Sequence, residues 1–514
     1  MLTAIFGKKS DHPLADIKSV QALLDDLPKS DAHKSIVELT DWVESLLDNT
    51  EFKLDYRFEV LRLLDEAAQP YVRKLVREYF TPFEINKVQE NRMWLALSNW
   101  SNHAATAYFK VFTGYCIGEK GSSTIKAQVP LLTVRAVHAL MWKLKYTCAH
   151  YGKIDDSIWT NILQLYKYAE QHQFLDTQVS LYSGTVGNTS VKYEIGHIMV
   201  WYDAGLSALS PLYIHLTERI VAQYCSTLDI QQKAGQHSRI CFDLNRSAEP
   251  PTRVNAGATT QPSMRFVGMP ELRSKLEDLM KVLNKNIVPN DINLGGSYEA
   301  GVIKEAGQYL LNYVIAPPVR RNVRRTADVT LGVVCGFDRV NLSADALLGF
   351  EEIEKALWVT EEISASGFSC KVPVKGNEGI GIGSLLGMQP EGVPHWGVAV
   401  VRRLVREDNE HLRVGAEILS NQIASVILNQ NKVAGGAIEN GQPALWLYAK
   451  QNDSTGEAQL LMRADTFSQG RSLQIQLGGK NYLLMPSGLR EKGLDYDLAK
   501  FRFVMQESSS TETQ

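Results

Sequence analysis

The order of apolar residues predicts an α+β multidomain chain: an all-α helical N-terminal domain followed by a C-terminal antiparallel β-barrel. Three observations carry the prediction. Apolar residues recur at three- and four-residue spacing through the first ~240 residues. After Pro318 the spacing changes to alternation in short runs. Between the two lies Pro317-Pro318, a pair that cannot continue a helix.

The helical elements follow in order. Ile36, Leu39, Trp42, Val43, Leu46 and Leu47 share one helical face, with Ser35 and Glu38 expected as a capping box. Asp155-Asp156 reads as a pair of helix-start acids ahead of Ile158, Ile162, Leu165, Tyr166 and Ala169. Ser210-Pro211 opens a helix through Tyr213, Leu216, Ile220 and Tyr224, with proline in its favoured first turn. Trp42, Trp94, Trp100, Trp142, Trp159 and Trp201 all fall in this half and read as core anchors. Residues 245–263 are rich in Pro, Ala, Thr and Asn and read as a linker or exposed loop. Two further helices are expected on Leu272, Leu276, Leu279 and Leu283, and on Val302, Ala306, Tyr309, Leu310 and Tyr313.

Strands are predicted at Val329–Cys335, Leu357–Thr360, Phe368–Val374, Trp396–Leu404, Leu412–Leu419, Ala444–Tyr448, Gln459–Met462, Leu473–Leu477 and Tyr482–Met485, with a helical insert around Ala344–Ala356. The resulting division is a helical domain over 1–244, a loop plus helical connector over 245–316, the barrel over 317–505, and a polar, disordered tail over 506–514.

Composition narrows the function classes. The chain has 514 residues, 44% hydrophobic and 22% charged, with a net charge of −3. That is a globular profile with no whole-molecule field for nucleic acid. No stretch reaches the apolar length of a membrane span, and Met1–Phe6 is too short for a leader's apolar region. The six cysteines form no Cys-x-x-Cys pair, so neither a disulfide framework nor a zinc site is indicated, and a cytoplasmic setting is expected. Gly379, Gly381 and Gly383 lack the spacing of a phosphate-cradling loop. His197 and His215 lie in apolar helical contexts and read as core histidines. No catalytic set, metal site or cofactor site can be assembled, so the chain is read as no enzyme.

Two segments carry chemical information. Arg320, Arg321, Arg324 and Arg325 fall within six residues, with no acid before Asp328. A guanidinium donates two parallel hydrogen bonds to a phosphate or to the O6 and N7 of guanine, and its face stacks on a purine. In the second segment Glu362, Ser364 and Gly367 stand at a turn between two strands. The acid can accept from guanine N–H groups, the hydroxyl can donate or accept, and a glycine allows positive φ and close approach. Arg402 and Arg403 alternate on a strand, so one of the two faces out, either bordering the site or on a solvated face. Taken singly, the arginines also suit a solvated basic loop, and the Glu-x-Ser-x-x-Gly turn an ordinary capped turn.

Arginines four apart (320/324 and 321/325), followed by an acid-x-Ser-x-x-Gly element and by the strands Trp396–Leu404 and Leu412–Leu419, resemble the PilZ family over about the last third of the chain. Glu362 stands where that family carries Asp or Asn, and the interval from Arg325 to Glu362 is long. The resemblance implies a PilZ-like barrel that binds cyclic di-GMP. Arg320, Arg321, Arg324 and Arg325 would take the phosphodiesters and guanine edges, Glu362 and Ser364 would read a guanine, and Gly367 would admit it. The helical domain would then relay the signal to a protein partner. The competing readings are a ligand-free scaffold or adaptor with the same fold, and a nucleic-acid binder using the arginine cluster.

Overall fold

The computed structural model describes residues 12–49, 51–81, 83, 85–184, 187–224, 227–254, 261–317, 322–345, 354–430, 441–448, 456–477 and 479–506. The chain divides into two compact units, Met1–Pro318 and Val319–Gln514.

In the first unit the helical periodicity is realised as α1 (Ile17–Asp25), α2 (Ala32–Asp48), α3 (Leu54–Tyr79), α4 (Lys87–Cys116), α5 (Val129–Ala149), α6 (Asp156–Gln171), α7 (Val191–Asp203) and α8 (Pro211–Tyr224). The predicted face of α2 is the buried one: Ile36, Leu39, Val43 and Leu46. Its cap differs from the expectation. Asp31 is the N-cap and accepts from the Lys34 backbone N–H, while Ser35 lies inside the first turn and donates to the Asp31 and Pro28 carbonyls. An Asp N-cap accepts the N3 backbone N–H as Ser would, and the aspartate lies one turn earlier. Asp155 does cap α6, accepting from Ser157 N–H at 2.7 Å, and that backbone bond lowers its pKa.

α5 is buried almost all round and runs through a polar knot in the core. Lys145 Nζ lies 2.6 Å from Glu218 and 2.8 Å from His215 Nδ1, with all three side chains buried. Burial holds His215 well below the ordinary imidazole pKa, so the ring accepts from the ammonium, whose own pKa burial lowers to about 8. His197 Nε2 is 3.3 Å from Glu218. Both histidines are satisfied core residues, as their apolar settings indicated.

A four-stranded antiparallel sheet in this unit is not legible in the helical period. Its strands are β1 (Asp229–Gln231), β2 (Ser238–Asp243), β3 (Thr252–Arg253) and β4 (Met264–Gly268), in the order β1-β4-β2-β3. Thr252–Arg253 lies in the segment read as a linker. α9 (Leu272–Leu283) and α10 (Ala300–Ile315) match their expected positions, and Leu276, Leu279, Ile303 and Leu310 join the same core as α2–α8.

The second unit is antiparallel β, and it holds two closed barrels where the sequence pattern suggested one. β5 (Arg325–Thr326) precedes the first barrel, formed by β6 (Thr330–Cys335), β7 (Ala356–Ser364), β8 (Gly367–Pro373), β9 (Leu385–Pro390), β10 (Gly397–Arg406) and β11 (His411–Ser420). The only helix described in this unit, α11 (Phe337–Ser343), directly follows β6. Of the insert expected around Ala344–Ala356, residues 346–353 lie outside the described residues, and Ala356 already starts β7. The second barrel comprises β12 (Ile423–Gln430), β13 (Gln442–Leu447), β14 (Glu457–Arg463), β15 (Leu473–Leu477), β16 (Lys480–Lys492) and β17 (Tyr496–Gln506). Of the expected disordered tail, Gln506 ends β17 and residues 507–514 lie outside the described residues.

The two rings have one topology. The first closes as β6-β7-β8-β11-β10-β9 and the second as β12-β13-β14-β17-β16-β15. Strand for strand the order is the same. Val334, Leu385, Val398 and Val400 of the first barrel share an apolar cluster with Ile423, Leu445, Leu461, Tyr496 and Leu498 of the second. Burying each such side chain contributes about 1.5–3 kcal/mol. Both faces of β6 and β10 are thus covered, which is why these strands read as continuous apolar runs and not as clean alternation.

Candidate functional site

The two informative segments meet on the first barrel. Ser364 and Gly367 face each other across β7 and β8 and flank a two-residue turn, Ala365-Ser366. Ser364 Oγ donates to the Gly367 carbonyl at 3.2 Å, which ties the turn shut. β5 pairs with the end of β7, with Arg325 opposite Ile363 and Thr326 opposite Glu362. This lays the arginine segment along the turn. Asn322 Nδ2 donates to Ser366 Oγ at 2.8 Å, and Arg324 Nη1 donates to Glu362 Oε2 at 2.6 Å.

Arg324, Glu362, Ser364 and Gly367 are therefore within one patch, while Arg325, exposed and paired with Ile363, projects from the other side of β7. Arg320 and Arg321 lie outside the described residues. Gly367 is not needed for positive φ, contrary to the reading of the turn. A Cβ there would lie 2.4 Å from the Ala416 carbonyl oxygen, so the requirement is close approach of neighbouring backbone. A β-bulge between Thr360 and Glu362 leaves Glu361 as the extra residue. Thr360 turns inward, fully buried, while Glu362 stays partly exposed.

Residues not singled out in the sequence complete the patch. Glu361 pairs with Arg413 at 3.2 Å, Arg413 Nε donates to Glu407 at 2.7 Å, and Lys371 reaches Glu407 at 3.3 Å. The hydrogen bond to Glu407, with Glu361 and Glu362 nearby, raises the Arg413 pKa. Arg413 lies within Leu412–Leu419, but nothing in its sequence setting distinguished it. The Arg324–Glu362 pair is half-exposed, with side chains 31% and 41% accessible. Such pairs contribute about 0–1 kcal/mol, so this one can open at little cost. Among the described residues, no group of three or more His, Cys, Asp or Glu is placed to hold a metal ion, and no helix is long and apolar enough to cross a membrane.

The first barrel thus displays Arg324 beside an acid, a serine and a close-packed glycine. Comparison with known proteins adds a separate observation. Residues 18–235 match the family model described as the N-terminal domain of the cyclic-di-GMP receptor FimW. No curated protein and no solved structure matches the chain. The matched residues lie in the helical unit and stop short of the arginine segment, so the match and the barrel patch are independent observations. The match supports a cyclic-di-GMP receptor and favours binding over catalysis.

Proposed function

We propose that this protein is a cyclic di-GMP receptor of PilZ type, with the ligand seated on the outer face of the first barrel. Arg320, Arg321, Arg324 and Arg325 take the phosphodiesters and the guanine Hoogsteen edges. Glu362 and Ser364 read a guanine, and Gly367 keeps the turn flat enough for it to approach. The helical unit passes the signal to a protein partner in the cytoplasm, and no reaction is catalysed. The observation that carries this reading is the contact between segments 38 residues apart in sequence, Arg324 to Glu362 at 2.6 Å, reinforced by Asn322 to Ser366. Isothermal calorimetry tests it. Saturable binding of cyclic di-GMP is expected, with linear GMP failing to compete. An Arg324→Ala, Arg325→Ala double variant should lose about 30-fold or more, since a hydrogen bond to a charged group is worth about 1.5–3 kcal/mol. No binding by the wild type, or unchanged binding by the double variant, contradicts the proposal.

A ligand-free scaffold is the second reading, and one observation favours it: Glu362 already occupies the Arg324 guanidinium. Nucleic acid is a poorer fit. Lys371, Arg402 and Arg413 are each engaged by carboxylates, so this face presents mixed charge to a polyanion.

A further inference from the structure

The outer face of the first barrel can be followed past the patch, strand by strand. Glu362 on β7 is paired with Ser369 on β8, Ser369 with Gly415 on β11, and Gly415 with Arg403 on β10. Paired residues on adjacent strands project to the same side, so these four form one transverse row. Its middle, Ser369 and Gly415, has almost no side-chain bulk. Its ends carry Arg324 with Glu362 on one side and Arg403 on the other. The row spans three strand spacings, about 14 Å along the surface. The neighbouring row runs from Ser364 through Gly367 to Glu417.

The far end of this trough is built by a bulge. Val401 pairs with Ala416 and Arg403 with Gly415, leaving Arg402 as the extra residue. Without the extra residue, strict alternation would turn Arg403 into the barrel interior. With it, both arginines face out. They are then treated differently. Arg402 donates to Glu417 at 2.8 Å and, through both terminal nitrogens at 2.6 Å, to Glu491 of the second barrel. β16 has its own register shift between Leu489 and Glu491, and the buried Tyr496 donates to Glu491 at 2.6 Å. Arg403 is exposed, and its guanidinium enters no ion pair among the described residues.

We propose that the ligand site extends across this trough to Arg403, a further arginine that contacts the bound dinucleotide, and that Glu491 of the second barrel fixes the far wall by holding Arg402. This rests on the reading of the first barrel as the cyclic di-GMP site. A doubly charged ligand gripped by Arg324 at one end has its second phosphodiester or guanine within reach of Arg403 at the other. Arg402, held by two carboxylates, positions the bulge and does not itself contact ligand.

The test is calorimetry with cyclic di-GMP on the full chain. Arg403→Ala should weaken binding about tenfold, with Arg403→Lys intermediate and Arg471→Ala, an exposed arginine of the second barrel, unchanged. Glu491→Gln should weaken binding several-fold when Arg403 is present and have no effect in the Arg403→Ala background. A purely structural role for Glu491 would weaken both backgrounds alike. If the wild type binds and the Arg324→Ala, Arg325→Ala variant does not, yet Arg403→Ala binds like wild type, this inference is overturned while the site on the first barrel stands. If the wild type fails to bind, the underlying reading falls instead.

Discussion

The two barrels of the second unit are the same ring built twice, with six strands in identical order. Their connections from the second strand to the third differ. In the first barrel β7 passes into β8 through a two-residue turn tied by Ser364 and overlaid by Asn322 and Arg324. In the second, β13 passes into β14 by a longer connection, and β12 is preceded by Asn421-Gln422 with no arginine at all. The strand order closes a core in both cases, and the first copy carries the Arg324–Glu362 pair beside its tight turn. Fold and function are separable here, because the ring fixes where a site can be while short segments decide whether one exists. On this account the second barrel serves the first, covering its apolar face and anchoring Arg402.

Glycines at the two connections offer the sharpest way to break that comparison. Gly367→Ala puts a Cβ 2.4 Å from the Ala416 carbonyl, so the β8–β11 seam must open. A loss of about 1–3 kcal/mol is expected in thermal or urea unfolding of the second unit. Gly456, just before β14, sits at φ +66 with nothing within 4 Å of an added Cβ. Gly456→Ala should therefore cost only the left-handed backbone strain, about 1 kcal/mol, and should leave cyclic di-GMP affinity unchanged. Equal losses at the two positions would mean that the turns are not specialised in this way.

A smaller effect sharpens the charge argument. Glu362→Gln removes the carboxylate that competes for Arg324 while keeping a group of similar shape. Unfolding free energy should change by under about 1 kcal/mol. Affinity for cyclic di-GMP, measured by calorimetry, should fall about two- to fivefold, because the guanine contact of the carboxylate is lost and relief of competition for Arg324 recovers only part of it. A rise would make Glu362 chiefly a partner of Arg324 and not a base reader.

The legible parts of this structure were those with a local physical cause. α2, α6, α8, α9 and α10 follow from apolar spacing and from prolines at fixed places, and most strands from short apolar runs between turns. The arginine and acid segments stood out because residue type and spacing are visible without coordinates. What was not legible depends on partners distant in sequence. The duplication of the barrel leaves no residue period, since the copies share strand order and not side chains. The four-stranded sheet from β1 to β4 is built from strands of two to six residues, too short for a period to show. The requirement at Gly367 comes from Ala416, 49 residues on. The outward turn of both Arg402 and Arg403 needs a bulge, which shifts alternation by one residue and has no sequence mark of its own.

The most direct measurement is hydrogen exchange over the whole chain, with and without saturating cyclic di-GMP. The account predicts new protection in residues 322–326, 362–369 and 401–417 of the first barrel. Protection confined to the helical residues 18–235, or to the second barrel, would contradict it.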